Sequence, residues 1–144
     1  MRVPKQYPLF LSSVVKTATN FHNNHTDSAI RLAETKEALE SIVQKGYFKE
    51  IVIVDGSDHD ILTTHEIANY ERQGIVIEQL RFLQDSSLVD QFGKGHGEMQ
   101  ITNYMVDHSK LVNKANGFYK LTARYFFDNF EKVIDAIQDY DNVF

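Results

Sequence analysis

The chain has no cysteine. That single absence excludes disulfide staples, thiolate metal sites and cysteine nucleophiles together. Long apolar runs are missing too: nothing approaches the roughly 20 residues that a membrane-spanning helix needs. The opening stretch, MRVPKQYPLFLSSVVK, has basic residues but only a short apolar core and no small-residue cleavage site, so no secretory signal is expected. Positive charge is also scarce. With 15 Lys and Arg against 20 Asp and Glu the formal net charge is −5, which argues against nucleic acid or an anionic membrane as a partner. An anionic ligand would have to be held by a few gathered cations or by backbone N–H groups. No internal repeat, low-complexity tract or linker interrupts the chain. These absences together predict a cytoplasmic protein without a transmembrane segment.

What is present describes one folded domain over residues 1–144. An apolar share of 42% and a charged share of 24% are those of an ordinary globule, and the length suits one core. The apolar run Phe10–Val15 predicts a buried strand. A polar loop rich in Asn and His follows, over Thr19–Ser28. Leu32, Leu39, Ile42 and Val43 then recur on one face of a helix from Ala29 to Lys45, with Asp27 or Ser28 as cap and Gly46 as stop. The next segment, Ile51-Val52-Ile53-Val54, is β-branched throughout and ends in Asp55-Gly56-Ser57, which predicts a strand buried on both faces.

Thr63 and Glu66 have capping-box spacing ahead of Ile67, Ala68 and Tyr70, with Gly74 as the stop. Another strand is expected over Ile75–Leu83, and a short helical turn from Ser86 or Ser87 to about Phe92. The segment Gly93-Lys94-Gly95-His96-Gly97-Glu98 is expected to break regular structure. One helix should then carry Ile101, Tyr104, Met105, His108, Leu111 and Val112 on a single stripe, with His108 half-buried. Phe118–Phe126 predicts a last strand, and Asp128 can cap a last helix bearing Phe130, Val133, Ile134 and Ile137. Alternation of strands and helices predicts an α/β fold, a three-layer Rossmann-like arrangement with a mostly parallel sheet.

Ligands of open α/β sheets bind beyond the carboxyl ends of the strands. Three polar clusters are expected there: the loop after Val15, the Asp55-Gly56-Ser57-Asp58 turn, and the Lys120/Arg124 end of the last strand. Asp55 suits hydrogen bonds to a base or ribose, and Gly56 permits close approach. The plainer reading, of about equal weight, is a turn whose Asp55 and Ser57 satisfy local N–H groups. Lys94, His96 and the neighbouring glycines resemble a phosphate-cradling turn at a helix N-terminus, although they match neither a Walker A sequence nor a GxGxxG in its usual place. The six histidines form no compact ligand set: His22 and His25 lie near Asp27, and His59 and His65 flank Asp60, without an HExxH spacing. No Ser-His-Asp order or nucleophile elbow appears.

Taken together the segments resemble the nucleotide-sugar-binding half of GT-A-type glycosyltransferases. Val54-Asp55-Gly56-Ser57 resembles the end of the VDDGS strand of those enzymes, whose aspartate contacts the base. The likeness is closer to bacterial surface-polysaccharide enzymes that carry a GKGxGE turn and a FxKxTGRYF-like strand, here Gly93–Glu98 and Phe118–Phe126. It spans Phe10 to about Ile137. It implies a nucleotide-diphospho-sugar donor, bound by Ser13, Asp55, Gly56 and Ser57 on the nucleotide side. Lys94, His96, Lys120 and Arg124 would face the diphosphate and sugar, and a glycan or lipid-linked acceptor would receive the sugar.

Two departures matter. Where the family carries a metal-binding Asp-x-Asp, this sequence reads Thr122-Ala123-Arg124, so the expectation is donor binding by a guanidinium with no metal cofactor. A full domain of that type is also longer, and its later half supplies the acceptor site and the base. The resemblance therefore implies a piece of a longer enzyme or a shortened relative, and it assigns no catalytic residue here. Two alternatives stand beside it: a non-catalytic nucleotide-binding or interaction module of the same fold, and an unrelated receiver-like doubly wound domain. The sheet edge leaves room for an oligomer.

Overall fold

The computed structural model describes residues 7–16 and 28–122, together with 129, 132, 133 and 136. Four strands and five helices are defined among them: β1 Leu9–Ser13, α1 Ser28–Lys45, β2 Glu50–Asp55, α2 Thr64–Arg72, β3 Val76–Arg81, α3 Ser86–Phe92, α4 Lys94–His108, α5 Lys110–Ala115 and β4 Tyr119–Thr122. The fold is α/β. The sheet has the order β3-β2-β1-β4 and every pairing is parallel. The chain steps from β1 to β2 to β3 in one direction, then returns through α3, α4 and α5 to place β4 on the other side of β1. The strand order thus reverses between β1 and β4, and a crevice opens at such a point beyond the carboxyl ends of the strands.

The period-2 alternation of the strands sorts side chains to two faces. Leu9, Leu11, Ile51, Ile53 and Ile77 point to one side, where Leu39 and Ile42 of α1 and Tyr70 of α2 cover them. Phe10, Val52 and Val54 point to the other, under Ile101 and Met105 of α4 and Val112 of α5. Helices therefore lie on both faces, which gives the three layers. Each strand residue from Ile51 to Val54 has 0% exposure, as its unbroken β-branched run requires of a central parallel strand.

The helix boundaries follow from their end chemistry. Thr63 and Glu66 form the expected reciprocal capping box on α2. Asp85 caps α3 by accepting from the N–H groups of Ser87 and Leu88. Gly46 and Gly74 take the positive φ values, 74° and 83°, that end α1 and follow α2. Among the described residues no helix is long and apolar enough to cross a membrane.

Three expectations are corrected. The segment after Phe92 breaks at Gly93 alone; Lys94 to Glu98 are already helical. The single helix expected through Val112 is two, because Ser109 adopts an extended conformation (φ −73°, ψ 122°) and caps α5 from its side chain. Glu78 of β3 reinforces that break by accepting from the Ser109 hydroxyl and the Lys110 N–H. Three helices, rather than a short helical turn and one helix, consequently connect β3 to β4. His108 is exposed rather than half-buried, its ring stacked on Tyr104 at 3.9 Å between centroids. Of the expected last helix, Lys132, Val133 and Ala136 are helical, with the Val133 N–H donating to the Asn129 carbonyl at 3.2 Å; its cap Asp128, with Phe130, Ile134 and Ile137, lies outside the described residues, as do His22, His25 and Asp27.

Candidate functional site

Asp55 ends β2 with 0% exposure. A carboxylate taken fully from water must be met by donors, and three meet this one. Oδ2 accepts from the Val15 N–H at 3.0 Å. Oδ1 accepts from the N–H and the hydroxyl of Ser57, at 2.7 and 2.5 Å. The Ser57 Oγ in turn accepts from the Lys16 N–H at 3.0 Å, and the Gly56 N–H donates to the Ser13 carbonyl at 2.9 Å. Ser13, Asp55, Gly56 and Ser57 are thus brought together, as expected. Their joint work is to tie the exit of β1 to the exit of β2, and both Asp55 oxygens are used inside the protein. Buried Arg31 of α1 adds to the tie by donating from Nε to the Val14 carbonyl at 2.9 Å.

The N-terminus of α4 stands over these exits. Gly93, at φ 90°, closes α3 by donating its N–H to the Val89 carbonyl and opens α4 without any side-chain cap. No acidic residue lies in the first turn. Lys94 and Gly95 are exposed there and His96 is half-buried, with its ring 5.3 Å from that of Phe92. The His96 N–H donates to the Gly93 carbonyl at 3.1 Å, and the helix dipole gives this end a partial positive charge.

Two glycines allow the close approach. A Cβ at Gly56 would lie 2.9 Å from Ile101 Cγ1, and one at Gly97 would lie 3.2 Å from Val89 Cγ2. The Gln84 Oε1 sits between the same two glycines, 3.2 and 3.1 Å from their hypothetical Cβ atoms. It is buried and has no hydrogen-bond partner among the described residues.

The third cluster joins the neighbouring strands β1 and β4 to α4. Strand parity puts Ser12 on the face of Phe10, and Lys120 on the face of Phe118, both toward α4. On α4, Glu98 lies three residues before Ile101 and seven before Met105, which turns it to the sheet. The three meet. The Ser12 hydroxyl donates to Glu98 Oε2 at 2.9 Å, the Lys120 Nζ donates to the same oxygen at 2.9 Å, and Nζ lies 3.5 Å from Ser12 Oγ. The ammonium also lies 5.6 Å from the centre of the Phe10 ring, within the range of a cation–π attraction. The side chains of Lys120 and Glu98 keep 33% and 39% exposure, so this cluster is reachable from solvent.

Lys120 is not at the end of its strand, as the sequence suggested, but opposite Phe10 in the middle of β4. Its length carries the ammonium to the crevice. Arg124 lies outside the described residues. Glu98 and Ser12 were not singled out from the sequence. The signal for them was the parity of β1 and the i, i+3, i+7 spacing of Glu98 with Ile101 and Met105, readable only once α4 is known to begin before Glu98. Among the described residues no group of three His, Asp or Glu side chains is placed to hold a metal ion. Compared with known proteins, the chain matches no protein-family model, no curated protein and no solved structure.

Proposed function

We propose that the chain binds a nucleotide-diphospho-sugar donor in the β1/β4 crevice, as the donor-binding part of a glycosyltransferase-like enzyme of bacterial surface-polysaccharide synthesis. One observation carries the reading: the uncapped, glycine-rich start of α4, bearing Lys94 and His96, lies beside the Ser12–Glu98–Lys120 cluster at the point where strand order reverses. The resemblance of the GKGHGE and FYKLTARYF segments to such enzymes supports it. In this reading the diphosphate lies at the positive end of the α4 dipole, against His96 and with Lys94 and Arg124 as counter-charges. Cations in those places stabilise the charge that develops on a departing diphosphate. The donor is held without a divalent metal, the sugar passes to a glycan or lipid-linked acceptor, and the work belongs in the cytoplasm.

The sealed Asp55 carboxylate weighs against a receiver-like domain, which needs an aspartate open to phosphorylation. Calorimetry with UDP, CMP, GDP and TDP and their sugars, first in EDTA and then with Mn²⁺, tests the proposal. Micromolar binding of one nucleotide family in EDTA, weakened at least tenfold in Lys94→Ala or Arg124→Ala, is the expected result. Binding that requires Mn²⁺ would overturn the metal-free mode, and no binding under either condition would overturn the function. Sugar transfer or donor hydrolysis by the bound chain separates an enzyme from a binding module.

A further inference from the structure

Lys120 is already paired with a carboxylate at 2.9 Å, so the Ser12–Glu98–Lys120 cluster carries no net charge. A phosphate oxygen approaching Lys120 would also be repelled by the Glu98 carboxylate, 2.9 Å from the ammonium, which offsets part of the attraction. Such a pair is poorly suited to a diphosphate. It is well suited to a neutral group that both donates and accepts. Glu98 uses Oε2 for both of its internal bonds, and Oε1 accepts no hydrogen bond among the described residues. An ammonium has three protons; Lys120 spends one on Glu98 and directs a second at the Ser12 hydroxyl, which leaves one for a ligand, with a third of its side chain exposed.

An acceptor and a donor on adjacent atoms match two neighbouring hydroxyls, one donating to the carboxylate and the other accepting from the ammonium. Ser12, at 1% exposure, and the Phe10 ring hold the pair from beneath. This fixes its orientation before a ligand arrives, which spares part of the ordering cost of binding.

We infer that Ser12, Glu98 and Lys120 form a hydroxyl-recognition subsite that takes a vicinal diol of the donor, while the diphosphate lies at the first turn of α4. The inference rests on the donor-binding reading above. Two portions of a nucleotide sugar carry such a diol, the ribose and the transferred sugar, and the ligand panel distinguishes them.

The test is calorimetry on the full chain with wild type, Glu98→Gln and Lys120→Met. For the nucleotide that binds, three forms are compared: the diphosphate, its 2′-deoxy analogue and the diphospho-sugar. Circular dichroism confirms that each variant is folded. If the transferred sugar is read, Glu98→Gln weakens the diphospho-sugar about tenfold and leaves the diphosphate unchanged. If the ribose is read, it weakens both ribose-bearing forms about tenfold and spares the 2′-deoxy analogue. Equal weakening of all three forms overturns the inference. So does tighter binding of the diphosphate in Glu98→Gln, which would show that Lys120, once released, serves phosphate.

A nucleotide-free arm separates failure of this inference from failure of the donor reading. Saturation-transfer NMR with free ribose and free hexoses is run on wild type and Glu98→Gln. A sugar signal that needs Glu98, in a protein that binds no nucleotide, keeps the diol subsite and removes the donor reading. Absence of both signals removes both. Nucleotide binding indifferent to Glu98 removes the subsite alone.

Discussion

The two faces of the sheet are built from the same strands and do different work. On the α1/α2 face, Leu9, Leu11, Ile51, Ile53 and Ile77 are covered along the strands by Leu39, Ile42, Ile61, Leu62 and Tyr70. The α4 face begins in the same way, with Phe10, Val52 and Val54 under Ile101 and Met105. Between β1 and β4 it turns polar: Ser12 and Lys120 replace apolar residues, and Glu98 and Gly97 lie on the facing helix. Among the described residues one face is apolar throughout and the other carries a polar, solvent-exposed cluster. The difference teaches that a parallel sheet can assign stability and chemistry to alternate residues of a single strand, so that Leu11 and Ser12 have separate tasks.

The sharpest way to break that comparison is to remove core volume on each face in turn. Leu11→Ala is expected to cost about 3–5 kcal/mol and Met105→Ala about 2–4 kcal/mol, within the range for buried large-to-alanine changes. Urea unfolding measures both. Only Met105→Ala, which loosens α4, should also weaken nucleotide binding in the surviving folded fraction. Equal binding losses in the two variants would erase the distinction between the faces.

The glycines give the next largest effect. Gly56→Ala places a methyl 2.9 Å from Ile101 Cγ1 and 3.0 Å from its Cδ1, and Ile101 is fully buried. The overpacking should cost about 1–3 kcal/mol. Gly97→Ala meets looser neighbours and lies within a helix, where alanine is favoured over glycine by about 1 kcal/mol. Its net cost should fall below that of Gly56→Ala, as thermal melts of the two variants would show. The reverse order would mean that α4 is held off the sheet less tightly than the distances indicate.

Ser109→Ala removes the cap of α5 and the hydroxyl that donates to Glu78. A loss of about 1–2 kcal/mol is expected, as for other N-caps, with the chemical-shift change confined to α5 and β3.

The smallest effect is a pH dependence on the α1/α2 face. Burial, followed by the hydrogen bond and negative charge of Glu40, raises the Tyr70 hydroxyl pKa above its ordinary value, and burial does the same for Tyr119 beside Tyr7. Below the unfolded tyrosine pKa of about 10 both states hold the proton, and the stabilisation is fully present. Above it the unfolded chain loses the proton first, so stability falls as pH rises. Urea midpoints between pH 8 and 11 should decline in wild type and decline less in Tyr70→Phe. An identical slope in the two proteins would remove Tyr70 from the account.

Much of this architecture was legible in the residues. The β-branched run at Ile51–Val54, the Thr63/Glu66 box and the glycines after Lys45 and Gln73 acted through local sterics and local hydrogen bonds, and local causes can be read from neighbours in sequence. Boundaries set by distant partners could not. The break at Ser109 depends on Glu78, 31 residues earlier, and periodicity alone ran the stripe straight through it.

The candidate site divides in the same manner. Asp55, Gly56 and Ser57 were readable as a turn, because their hydrogen bonds to each other span two residues. That Asp55 faces inward, toward Val15, is a contact across 40 residues. Lys94 and His96 could be placed near a helix start because glycine marks such positions. The pairing of Ser12 with Glu98 joins residues 86 apart, and Lys120 reaches Glu98 across 22. The sequence by itself determined which segments become parallel strands and helices, since those choices depend on side-chain period and end chemistry. Only the tertiary structure decided that the reversal of strand order lies between β1 and β4, and hence that a serine, a glutamate and a lysine from three separate segments share one crevice.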